Sequence, residues 1–138
     1  MAKTFTAPFA QTPMNKTAVV TGAAGSITSD APTNTVVLLT AGADGAILTR
    51  LSAIPRATVT ASSLLLFTSS DNGTTKRLID SALMAAQTVA TTTAVASTSF
   101  TTYTETAPLR LQAGEQLYVG SQVALASGIV FKAEYTDF

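Results

Sequence analysis

The sequence predicts an all-β protein, an antiparallel jelly-roll or β-sandwich domain of about eight short strands over residues 16–138, preceded by an extended N-terminal arm over residues 1–15. Three observations carry this expectation. Apolar and polar residues alternate with a period of two in several segments, as they do in strands that bury one face. Turn residues punctuate the chain at intervals of roughly 8–12 residues, the spacing of sandwiches and barrels. No helical pattern alternates with the strands, which argues against a parallel α/β sheet. Composition agrees. Ala and Thr make up about a third of the chain, and Thr favours strands because it is branched at Cβ. With 46% hydrophobic residues and no net charge, the chain can bury enough surface to escape disorder.

The elements follow in order. Pro8 and Pro13 keep residues 1–15 out of a regular element, and Phe5, Phe9 and Met14 give that arm apolar anchors for a partner; a frayed terminus is the alternative. Lys16 to Thr21 reads as a short strand, and Gly22 to Asn34 as loop. Thr35 to Thr40 is an apolar run, and Ala46 to Ile54 alternates, with Ile47, Thr49, Leu51 and Ala53 on one face. Asp44-Gly45 between them is a hairpin signal, because Gly accepts the positive φ of tight β-turns. Val59 lies in a short extended piece. Ser63 to Thr68 and Thr75 to Ile79 flank Asp71-Asn72-Gly73, a second and stronger hairpin signal. Residues 80–97 are ambiguous: Asp80 could cap two helical turns, whereas the threonines beyond favour extended chain, which is the preferred reading. Thr98 to Thr106 and Leu109 to Gln112 are strands. Gln116 to Leu125 buries Leu117, Val119, Val123 and Leu125, and the last strand buries Ile129, Phe131, Ala133 and Tyr135.

Composition excludes several kinds of chemistry. The chain has neither His nor Cys, so disulfides, a Cys nucleophile, Cys or His zinc sites and His-based triads are ruled out. Eight basic residues, mostly single, are balanced by eight acidic ones, which leaves no footprint for nucleic acid. The longest apolar runs span four or five residues, far short of the roughly 20 that cross a bilayer, and the N-terminus does not read as a secretory signal peptide. The segment Ala18-Val19-Val20-Thr21-Gly22-Ala23-Ala24-Gly25-Ser26-Ile27 is similar to the opening of a short-chain dehydrogenase. The pattern fails at Thr28, where a third glycine belongs, and Pro32 replaces the helix that should follow. Asp44-Gly45 and Asp71-Asn72-Gly73 lack the acidic spacing of an EF-hand. The remaining acids are dispersed. Two of them could serve a glycosidase, but no catalytic, metal or cofactor-binding residues are assigned and the chain is not read as an enzyme.

The low charge content is the most informative feature. Charged residues are 12% of the chain, about half of the roughly 25% found in ordinary globular proteins. Val36-Val37-Leu38-Leu39 and Leu64-Leu65-Leu66-Phe67 are apolar on both strand faces, so a second apolar contact is expected beyond the core. A subunit interface through Val37, Leu39, Leu65 and Phe67, joined by Phe5, Phe9 and Met14, is the preferred source of that contact. Cover by loops or by the arm is the alternative.

Pro108-Leu109-Arg110-Leu111-Gln112-Ala113-Gly114-Glu115-Gln116-Leu117-Tyr118-Val119 resembles a recurrent element of small jelly-roll proteins, among them tumour-necrosis-factor-like trimers and small phage virion proteins. Ser127 to Phe138 looks like their closing strand. The whole chain is similar to decoration, or head-stabilisation, proteins of tailed bacteriophages. That resemblance implies a homotrimer on the outer capsid surface that clamps the major capsid protein, made in the host bacterial cytoplasm, with no cofactor, nucleic acid or membrane partner. A tail or head-fibre component is the structural alternative. A carbohydrate-binding module or small glycosidase is the alternative from another class.

Overall fold

The computed structural model describes residues 12–138. Among these the chain is all β and contains no helix, and its strands form two antiparallel sheets. The strands are β1 (Thr12–Val20), β2 (Val36–Thr40), β3 (Ala46–Pro55), β4 (Ser62–Ser69), β5 (Arg77–Met84), β6 (Thr98–Ser99), β7 (Leu109–Leu111), β8 (Gln116–Ser121) and β9 (Ile129–Asp137). One sheet runs β1-β9-β3, with β6 and β7 both pairing the far side of β3; the other runs β2-β8-β4-β5. The expected β-sandwich is therefore the observed architecture.

The core lies between the sheets and is built from the period-two faces. Leu117 and Val119 of β8 are fully buried, as are Ile129, Phe131 and Ala133 of β9, while Tyr135 is nearly so. β8 and β9 are central strands with a neighbour on each side, which is why their alternation is the cleanest in the chain.

Several boundaries differ from the sequence expectation. Residues 12–15, assigned to the arm, belong to β1, which pairs β9 along its whole length from Thr12↔Asp137 to Val20↔Ile129. Pro13 does not prevent this, because β1 is an edge strand among the described residues and a proline on an edge sacrifices no ladder bond on the open side. Residues 1–11 lie outside the described part. The strand expected over Thr98 to Thr106 shrinks to Thr98–Ser99, after which the chain leaves the sheet. β8 stops at Ser121 rather than at Leu125. The ambiguous segment begins as strand, since β5 runs on through Met84.

The glycine turns divide into two kinds. Asn72 and Gly73 both hold positive φ, 61° and 89°, and the strands they join pair directly, Thr68 with Arg77 and Phe67 with Leu78. This is the expected hairpin. Asp44-Gly45 is not one. Gly45 holds φ 87°, but β2 and β3 belong to different sheets, so the turn carries the chain across the sandwich.

The alternation of β3 also contains a break. Leu48 and Leu51 are both fully buried, which strict period two forbids. The register against β9 passes from Leu48↔Tyr135 to Arg50↔Glu134, leaving Thr49 as an extra residue. This β-bulge turns Leu51 back to the core face. The expected face of Ile47, Thr49, Leu51 and Ala53 is corrected accordingly: Leu48 replaces Ile47 and Thr49 on the buried side.

Candidate functional site

The seven residues expected to form a partner interface separate widely. Phe5 and Phe9 lie outside the described residues. Met14 sits in β1 opposite Tyr135 and packs half-buried against the core. Leu39 is core, at 2% exposure, because a register irregularity between Val37 and Leu39 leaves both Leu38 and Leu39 buried. Leu65 and Phe67 face away from the core but are covered within the chain, at 1% and 0% exposure. Of the five that are described, Val37 alone is an exposed large hydrophobic, at 45%.

The cover over Leu65 and Phe67 is the loop between β1 and β2. Ala23 bridges Ser121 at the end of β8. Gly120 lies opposite Leu65, and a Cβ on it would meet Ala24, the Phe67 ring and Thr35 at 3.3–3.7 Å. The loop is held by the Asn34 amide donating to the Ala23 carbonyl. Lys76 N–H donates to the Asp30 carbonyl, and Arg77 pairs with the Asp30 carboxylate at 3.2 Å. Double-sided apolarity in β4 thus reflects a loop folded onto the sheet, the alternative left open by the sequence.

Exposed apolar surface lies elsewhere. Among the described residues β5 is the edge of its sheet, and it carries Leu78, Ile79 and Leu83 at 39%, 42% and 74% exposure. Val37, Tyr118, Phe67 and Leu78 stand opposite one another in a single row across β2, β8, β4 and β5. The two ends of this row are exposed, Phe67 is fully covered and Tyr118 is half-buried. Sequence reasoning missed β5 because apolar residues in an edge strand look like core residues until the sheet order is known. The one faint signal was Asp80, beside Ser81, within a largely apolar run. Its Oδ1 accepts the Ser81 N–H, which occupies an edge donor.

A second feature is a cleft of about 430 Å³ on the other sheet. β7 covers Ala46–Leu48 of β3 and β6 covers Ser52–Ala53, which leaves the bulge between them without a strand neighbour on that side among the described residues. The chain from Phe100 to Pro108 arches over this gap. Phe100 N–H bonds the Leu51 carbonyl, and Phe100 and Tyr103 are buried at 2% and 9% exposure. Burial, and after it the charge of Asp80, pushes the Tyr103 phenol up to about 12. Thr104 and Ala107 exchange two backbone hydrogen bonds that close the turn. The cleft rim carries Arg50, Glu105 and Glu134 with Thr49, Thr101 and Thr104. Arg50 and Glu134 form a loose, exposed ion pair at 3.7 Å, and the Thr49 hydroxyl donates to the Glu134 carbonyl.

Among the described residues no group of three or more His, Cys, Asp or Glu side chains is arranged to hold a metal ion. No protein-family model, curated protein or solved structure matches the chain.

Proposed function

We propose that this chain is a structural protein of a bacteriophage virion, a capsid decoration protein that assembles as a homotrimer and binds the outer surface of the major capsid protein shell. The observation that carries the reading is the apolar surface left outside the core. Val37, Leu78, Ile79 and Leu83 are exposed on a chain with only eight basic and eight acidic residues in 138. Exposed apolar edges are ordinarily blunted by charge or covered by a partner. The strand order, β1-β9-β3 with β6 and β7 against β2-β8-β4-β5, supports a jelly-roll assignment within the sandwich. The mechanism is mechanical. Each large side chain buried on docking contributes on the order of 1.5–3 kcal/mol before ordering costs, so a few per subunit, multiplied over a trimer, stiffen the junctions they span.

The reading is tested in two steps. Light scattering coupled to size exclusion should give three times the 14.1 kDa of one chain, and Leu83→Lys should reduce that mass while circular dichroism stays unchanged. The protein should then co-sediment with empty heads of the phage that encodes it. A clean monomer at micromolar concentration that stays in the supernatant would overturn the proposal.

A further inference from the structure

The cleft over the β3 bulge is not used by the proposed clamp, and its lining has a chemistry of its own. We infer that it binds a neutral polyhydroxylated ligand, a saccharide, between the Arg50–Glu134 pair on the sheet and Thr101, Thr104 and Glu105 on the arching loop.

Exclusion supplies half of the argument. Two carboxylates against one guanidinium give the rim a negative balance, which disfavours phosphate, sulfate or an acidic chain. Three charged side chains, Arg50, Glu105 and Glu134, and three threonines line the cleft, and a purely apolar ligand would strip them of water without replacing their hydrogen bonds. The stretch of β3 left without a strand neighbour runs only from Thr49 to Leu51, and Phe100 already occupies the Leu51 carbonyl; that is too short for an added peptide strand.

Complementarity supplies the other half. Vicinal hydroxyls both donate and accept. Carboxylates such as Glu105 and Glu134 accept from them, a guanidinium donates to them, and threonine hydroxyls do either. Hydrogen bonds to the ionised groups are the stronger ones. The site is also built before any ligand arrives. The loop is pinned at Phe100 and Tyr103 and closed by the Thr104–Ala107 bonds, and the bulge is tied to β9 through Thr49, so little ordering remains to oppose binding. The volume of about 430 Å³ lies in the lower part of the roughly 300–1,000 Å³ range of ligand sites, room for one or two sugar units at a time.

The test is amide shift mapping on the full-length protein titrated separately with maltotriose, cellotriose and mannotriose, with inorganic phosphate and spermidine as charged comparators. Saturable shifts confined to Thr49–Leu51, Ser99–Glu105 and Glu134 are expected from at least one trisaccharide. Arg50→Ala and Glu105→Gln, both on exposed side chains, should each weaken that binding by about tenfold or more while leaving the rest of the spectrum in place. No saturable shift in the cleft with any of the three trisaccharides overturns the inference, as does a response there to phosphate or spermidine alone. Oligomer mass and head binding are read separately, so the outcome here does not depend on the decoration reading.

Discussion

Gly73→Ala tests the geometry of the β4–β5 hairpin through two separable effects. Gly73 holds φ 89°, where an L-residue pays roughly 1–2 kcal/mol for the close approach of its Cβ to the backbone. A Cβ there would also collide with the Tyr118 hydroxyl and stand 3.1 Å from Cζ. Tyr118 is not free to yield: its hydroxyl donates to Gln116 Oε1 at 3.0 Å, and the Lys76 ammonium lies 4.7 Å from the centre of its ring. Overpacking against a held side chain adds about 1–3 kcal/mol. The expected total is about 2–5 kcal/mol, read as a shift in the urea midpoint at constant slope. The decisive arm is the double mutant. Tyr118→Phe removes the colliding oxygen and leaves the tight but milder 3.1 Å contact with Cζ, so Gly73→Ala in that background should cost little more than the backbone part. The coupling energy should be about 1–3 kcal/mol, in the range found for residues in contact. Equal costs in the two backgrounds would refute the collision. A neutral Gly73→Ala would refute the positive φ as well, and with it the hairpin.

The other predictions concern burial, pH and the N-terminus. Phe67→Ala should destabilise by about 3–5 kcal/mol, because its ring is fully buried beneath the loop between β1 and β2, yet leave oligomer mass unchanged below the melting range; a loss of mass without a loss of stability would return Phe67 to the interface. Stability should be flat between pH 6 and 8, since the chain has no His. At high pH it should fall. Tyr103 keeps its proton to about 12 when folded, so the stability it contributes is fully present below the ordinary value of 10 and is lost as pH rises through 12. At low pH, Asp71, held below the ordinary carboxylate value chiefly by the Thr75 N–H and then by the Thr75 and Ser69 side chains, loses its contribution as pH falls through its lowered value; urea midpoints from pH 3 to 11.5 check both limbs. Deleting residues 1–11 should preserve the circular dichroism of the domain and weaken trimer or capsid binding at least about tenfold. Deleting 1–14 should also lower the melting temperature, because Thr12 to Met14 pair with β9.

Legibility in the sequence followed the range of the interactions involved. Period-two patterns in Gln116–Ser121 and Ile129–Tyr135 marked the buried faces of β8 and β9 before any partner was known, because alternation is set by the pleat of each strand alone. Asn72-Gly73 marked a hairpin for a similar reason: two successive residues of positive φ suit the twist of adjacent strands. Missing His and Cys excluded whole reaction classes whatever the fold. Pairing was another matter. A turn at Asp44-Gly45 has the same local chemistry as the hairpin, yet it joins strands of different sheets, because a β-turn reverses the chain without specifying which strand the chain meets next. The partners of β1 and β2 are β9 and β8, contacts between the two ends of the chain that no local pattern encodes. Exposure was equally hidden. Leu65 and Leu83 are the same residue type in neighbouring strands, one at 1% and the other at 74% exposure. The first lies in an inner strand beneath a folded loop and the second on an edge strand, a difference created by sheet order and loop placement. The cleft arises in the same way. A bulge at Thr49, a gap between two short strands and an arch pinned by Phe100 and Tyr103 lie up to about sixty residues apart along the chain and meet only when the sandwich closes.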